Sequence, residues 1–226
     1  MSSLTLVPTP VGNLEDMTLR AIRILKESDL IIAEDTRTSG VLLKHYDIRK
    51  PLLSFHAHNE HQRVNSIVEK ILEGNHVAMI TDAGTPGISD PGFLLVRACA
   101  EAGIEVSCLP GATAFVPALA VSGLPSDQFL FAGFLPHKKG RQSRIRELAG
   151  VKCTMILYES PFRLIKTLTE LIPHLGAGRN AAVVREISKI HEEIQRGSLE
   201  SLLSYFSTKT VKGEIVLIIA GSEYSR

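Results

Sequence analysis

The chain has 226 residues, 44% of them apolar, and a net charge of +1 at pH 7. That length suffices for one large domain or two small ones, each with a real core. The composition excludes a disordered or fibrous chain, and the near-zero charge confines any nucleic-acid surface to a local patch.

Short runs rich in Val, Ile and Leu alternate with segments of helical period. In the first half LTLVP (from 4), DLIIAE (from 29), HVAMIT (from 76) and IEVSCL (from 104) read as strands. Val64, Ile67, Val68, Ile71 and Leu72 lie at the spacing of one helix face. In the second half FLFAGF (from 129), TMILYE (from 154), AAVVREI (from 181) and EIVLIIA (from 214) read as strands, with a helix face at Leu164, Ile165, Leu168, Leu171 and Ile172. HEEIQRG follows AAVVREI across the short SKI, too soon for a parallel crossover, so that pair is expected as an antiparallel hairpin. The expected fold class is α/β in two domains. A mostly parallel five-stranded sheet occupies 1–122 and a mixed sheet 123–226, with the boundary in the Gly, Pro, Ser and Asp cluster of SGLPSDQF.

Cys99, Cys108 and Cys153 are odd in number, lie in apolar surroundings and show no CxxC or ligand spacing, so they read as buried, reduced thiols. MSSLTLVPTPVG lacks a basic segment followed by a long apolar one, and no apolar run is long enough for a bilayer. The expectation is a soluble cytoplasmic protein with no membrane partner.

Three loops follow first-half strands: PTPVGNLED, DAGTPGISDPG and PGAT. In open α/β sheets, ligands bind beyond the carboxyl ends of strands. Neither GxxxxGK[ST] nor GxGxxG is present, and Asp82 and Asp90 would repel a pyrophosphate. A guest with hydroxyls or positive charge suits the loop better, and S-adenosylmethionine offers a ribose diol, an ammonium and a sulfonium. Glycines let the backbone approach such a guest closely. The alternative is a plain turn in which the aspartates cap backbone N–H groups.

TPVGNLEDMTLRA, AEDTR, ITDAGTPGISDPG, LPGATAF, LYESPFR and REISKIHEE, in that order, resemble the tetrapyrrole methylase superfamily. Within it they are similar to a branch that methylates a cytidine 2′-oxygen in 16S ribosomal RNA. The resemblance implies a two-domain α/β homodimer that binds S-adenosylmethionine between its domains and acts on small-subunit ribosomal RNA or the small ribosomal subunit. It implies cofactor contacts at Pro10, Gly12, Asp82, Gly84, Ile88, Ser89, Ala112 and Thr113, with Tyr158 closing the pocket.

HKKGRQSRIR (137–146) holds Lys138, Lys139, Arg141, Arg144 and Arg146 and no acid. It is either a solvated helix start or, with an RNA substrate implied, a phosphate-contacting patch. Arg37 in AEDTR and Arg185 in REISKIHEE are further phosphate candidates; the alternative for the former is Asp35 or Thr36 capping a helix with Arg37 paired nearby, but the density of charge at a strand end favours function. Glu159, Glu186 and Lys189 are candidates to take a proton from a ribose hydroxyl. His56, His58 and His61 lack a fourth ligand of zinc type, so no metal is expected; Asn59 or His58 starts the following helix. A tetrapyrrole methyltransferase and a non-catalytic RNA-binding module remain the alternatives.

Overall fold

In the computed structural model of the protein, residues 3–224 are described. Met1 and Ser2, which open the stretch read for a targeting signal, lie outside them. The chain divides into two compact units, Met1–Thr113 and Ala114–Arg226.

The first unit alternates strand and helix: β1 (Ser3–Leu6), α1 (Leu19–Glu27), β2 (Leu30–Ala33), α2 (Thr36–His45), β3 (Leu52–Ser54), α3 (Glu60–Leu72), β4 (His76–Ile80), α4 (Phe93–Glu101) and β5 (Glu105–Cys108). All the strands are parallel, in the order β3-β2-β4-β1-β5. The period of two in a strand gives each face its own core. Val77 and Met79 of β4 pack with Val64, Ile67 and Ile71 of α3 and Leu95 and Cys99 of α4. Of the three cysteines expected to be buried, Cys99 is, whereas Cys108 on the edge strand β5 is exposed and Cys153 is half-buried. Ala78 and Ile80, between them, pack with Ala21 and Leu25 of α1 and Leu43 of α2. Thr18 caps α1 by accepting from the Ala21 N–H. α3 begins after Asn59, but the Asn59 side chain does not cap it; Oδ1 accepts from the His56 N–H at 2.8 Å instead.

The second unit contains α5 (Phe115–Ser122), β6 (Phe129–Phe134), α6 (Arg141–Ala149), β7 (Thr154–Glu159), α7 (Leu164–Leu175), β8 (Asn180–Arg185), β9 (Glu193–Ser198), α8 (Leu199–Ser207) and β10 (Ile215–Ile219). Its sheet has the order β6-β7-β10-β8-β9, with β6 and β7 parallel and the other neighbours antiparallel. The β8–β9 pair is the expected hairpin. Met155 and Leu157 of β7 join the core shared with α6, α7 and α8. Ile156, Ala182, Val184, Val216 and Ile218 turn to the other face, where Ala118 and Leu119 of α5 cover them. That packing assigns α5 to the second unit, so the division falls at Thr113/Ala114 and not in 122–129. Among the described residues no helix is long and apolar enough to cross a membrane.

Candidate functional site

β4, β1 and β5 are neighbours, so the loops after their carboxyl ends emerge side by side in the first unit. Hydrogen bonds tie the three loops together. Thr9 and Gly84 exchange N–H···O=C bonds of 2.9 Å, and the Thr9 hydroxyl donates to the Thr81 carbonyl at 2.9 Å. The Thr85 hydroxyl donates to the Ala112 carbonyl at 3.1 Å. Pro10, Gly12, Gly84, Ala112 and Thr113 are thus brought together. Gly84 has φ +85, in the left-handed region, and a Cβ there would stand 3.6 Å from Val11 Cγ1. Ile88 and Ser89 lie exposed at the loop tip, and Ser89 is left-handed at φ 65 without being glycine. The loop's far end is held by Glu60, whose Oε1 accepts from the Gly92 and Leu94 N–H groups at 3.3 Å each and so caps α4.

Three carboxylates share this end of the sheet. Asp82 Oδ1 accepts from the Asp35 N–H at 3.3 Å. Burial, then the charge of Asp82, raises the Glu34 pKa, and burial is the main cause raising that of Asp82. Asp90 is pushed up to about 7 by burial and by the charges of Glu34 and Asp82. A ligand carrying positive charge would relieve that mutual repulsion, and one carrying hydroxyls would find acceptors. Glu34 is a functional candidate that sequence reasoning missed, and Asp90, read there only as a loop carboxylate, joins it. The signal for Asp90 was its place before Pro91 and Gly92 in the same loop.

Asp35 caps α2 through the Arg37 N–H at 2.8 Å and grips the Arg37 guanidinium with both oxygens, at 3.1 and 2.7 Å. The Arg37 hydrogen bonds hold the Asp35 carboxyl down at about 2. Arg37 nevertheless leaves 90% of its side chain exposed. The rings of His56 and His58 lie 5.9 Å apart, and among the described residues no group of three His, Cys, Asp or Glu could hold a metal.

The second unit revises two candidates. Arg141 is 4% exposed and does not belong to the basic patch. Its Nε meets Glu170 at 2.6 Å, and a terminal nitrogen donates to the Thr167 hydroxyl at 2.7 Å. Glu159 is 2% exposed, and its oxygens accept from Thr167 Oγ1 at 2.5 Å and the Ser160 N–H at 2.8 Å, with Arg163 paired at 2.9 Å. A carboxylate so engaged has no face left to take a proton from a substrate. Lys138 and Lys139 are exposed; Arg144 pairs with Glu147 at 3.0 Å and Arg146 donates to Ser143 at 3.3 Å. Tyr158 is half-buried, its ring 5.2 Å from Phe131 and 5.5 Å from Phe134.

Glu186 and Ser188 take left-handed φ values of 52 and 66 just after β8. Lys189 Nζ bridges Glu186 Oε1 and Glu214 Oε2 at 3.0 Å each, and the Glu214 N–H donates to Glu186 Oε1 at 2.9 Å. Burial opposes the charge of both groups, but these bonds prevail: the Glu186 pKa is lowered and that of Lys189 raised. Arg185 pairs with Glu193 at 2.9 Å and donates to the Lys212 carbonyl at 3.1 Å.

Residues 3–203 match the family model for tetrapyrrole (corrin/porphyrin) methylases. The chain is 51% identical over 223 residues to the ribosomal RNA small subunit methyltransferase I of Synechocystis sp., covering 98% of this chain and 80% of that one. It is 44% identical over 223 residues to the protein of the same name from Thermotoga maritima, covering 99% and 100%. Among solved structures, uroporphyrin-III-C-methyltransferase from Thermus thermophilus superposes with a TM-score of 0.69 at 20% identity, over 98% of this chain and 96% of that one. Diphthine synthase superposes with a TM-score of 0.76 at 13% identity, over 97% and 90%. At such identities these two likenesses speak for the fold alone.

Proposed function

Because this chain belongs to the tetrapyrrole (corrin/porphyrin) methylase family, we propose that it methylates small-subunit ribosomal RNA with S-adenosylmethionine, at a cytidine 2′-oxygen of the 16S molecule. The observation that carries this reading is the 44–51% identity, over nearly the whole chain, to relatives named for that RNA. The acidic loop cluster supports the donor. Glu34, Asp82 and Asp90 suit a cationic, hydroxyl-bearing guest and oppose a polyphosphate.

S-adenosylmethionine, when bound, supplies a methyl group on a sulfonium, which leaves as a neutral thioether. Pro10, Gly12, Asp82, Gly84, Ile88, Ser89, Ala112 and Thr113 would hold it, through backbone groups and the Asp82 carboxylate. Lys138, Lys139, Arg144, Arg37 and Arg185 would meet RNA phosphates. Alignment of acceptor, methyl and sulfur can contribute on the order of 7–11 kcal/mol. Lys189 is held protonated and Glu186 is a weakened base, so we assign this pair to shaping the loop after Arg185, with the proton leaving to solvent. The resemblance also implies a cytoplasmic homodimer, and sedimentation velocity tests the dimer.

The experiment is transfer of labelled methyl from S-adenosylmethionine to small ribosomal subunits lacking the modification, with a porphyrinogen as parallel acceptor. Label in RNA, with an alkali-stable linkage at the modified ribose, is the expected result. Label in the macrocycle alone would overturn the RNA assignment.

A further inference from the structure

We infer that Phe134 and Phe162, at one strand end with Arg163 held over the Phe134 ring, form a stacking platform for an unpaired base of the RNA substrate. This rests on the RNA reading above and adds to it a site that reads a base and not a phosphate.

Phe134 ends β6, and its register partner on the parallel neighbour β7 is Tyr158. Phe162 and Arg163 lie in the turn that follows β7. The two phenylalanines therefore belong to the same carboxyl end of adjacent strands. They are exposed by 52% and 93%. One exposed phenylalanine is ordinary, but two at one strand end beside a held cation call for an occupant.

The surroundings are rigid. Arg163 is ion-paired at 2.9 Å to the buried Glu159 and meets the His137 ring at 3.0 Å. Its guanidinium lies over the Phe134 ring, 5.9 Å from the centroid. Tyr158 backs that ring at 5.5 Å with an interplanar angle of 60°. The Arg163 guanidinium and the Phe134 ring therefore have little conformational freedom left to lose when a flat, electron-rich partner arrives.

Charge selects the occupant. From Phe134 to Arg146 there is no acidic residue, and Lys138 and Lys139 in that stretch are exposed. Flat rings next to free cations are what a single-stranded nucleic acid requires, bases on the rings and phosphates on the amines. The buried network gives Glu159 a definite part here: it positions Arg163, and through it the platform.

The test uses Phe162→Leu and Phe134→Leu, with Phe162→Trp as rescue, in methyl transfer to small ribosomal subunits lacking the modification. The wild-type rate tests the RNA reading; the variants test the platform. The expected result is a ten- to hundredfold rise in KM for the subunits in each Leu variant, about the loss of one stacked base. KM for S-adenosylmethionine stays unchanged, and Phe162→Trp restores the parental value. An unaltered subunit KM in both Leu variants overturns the platform while leaving the RNA reading intact. Dissociation of a dimer by Phe162→Leu, seen by sedimentation, would also overturn it and make the patch a contact between copies.

Discussion

A Cβ built on Gly111 would stand 2.7 Å from the Cβ of Pro8 and 3.0 Å from its Cγ. The loops after β1 and β5 therefore touch backbone against ring, and no side chain fits between them. Gly111→Ala should force them apart at a cost of about 1–3 kcal/mol. Differential scanning calorimetry should show a fall in Tm, and calorimetric titration a weaker affinity for S-adenosylmethionine. An alanine variant with parental Tm and affinity would mean that Pro8 yields freely.

Arg141 and Glu159 approach to 4.0 Å inside the second unit, bridged by the Thr167 hydroxyl. Removing Arg141 leaves the buried Glu159 with Arg163 as its remaining cation and takes from Glu170 its 2.6 Å partner. Arg141→Ala should lower the unfolding free energy by about 3–5 kcal/mol, measured by urea titration. Arg144→Ala, at the surface, should stay within about 0.5 kcal/mol of the parent.

Lys138 and Lys139 carry the opposite expectation. Replacing both by alanine should leave Tm and cofactor affinity unchanged while weakening RNA binding. The slope of log K against log salt should become shallower by about 1.4, the loss of two single-strand phosphate contacts. Asp82→Ala should do the reverse, weakening cofactor binding and sparing RNA. Equal losses of both ligands in either variant would contradict the separation.

Asp90 sets a pH dependence. Its carboxyl ionises near 3.8 when unfolded and near 7 when folded. Between those values the folded state keeps a proton that the unfolded state has lost, so stability falls as pH rises from about 4 to about 7 and then levels. Asp90→Asn should therefore melt above the parent at pH 8 and with it at pH 4. Affinity for a cationic ligand should move the other way, strengthening as Asp90 ionises. A parent–variant Tm difference independent of pH would place the titration elsewhere.

Local pattern made most of the fold legible. Residues 129–134 and 154–159 are strands of those very bounds because each apolar run is closed by turn-forming residues. β3 escaped notice because Leu52–Ser54 is too short to show alternation. FVPALAVS is apolar on nearly all sides, so its period cannot tell which sheet it covers, and the division at Thr113/Ala114 is not legible from it. The loop glycines and Asp82 stood out, whereas the convergence of Glu34 with Asp82 and Asp90 depends on β2 lying beside β4. Arg141 looked like its exposed neighbours because the residues that bury it, Thr167 and Glu170, come later in the chain. Phe162 is an aromatic in a polar turn, a signal that periodicity arguments discard.

Among the described residues each sheet is built from its own stretch of chain, one within residues 3–108 and the other within 129–219. During synthesis the first sheet therefore has all its partners before Phe129 is added. In that interval its borders are open to other nascent chains. One border is β3, three residues long, and the other is β5, with Glu105 exposed to water. A short strand and a charged one are poor templates for a stranger, so the growing polypeptide carries its own protection against aggregation while the second half is still being made.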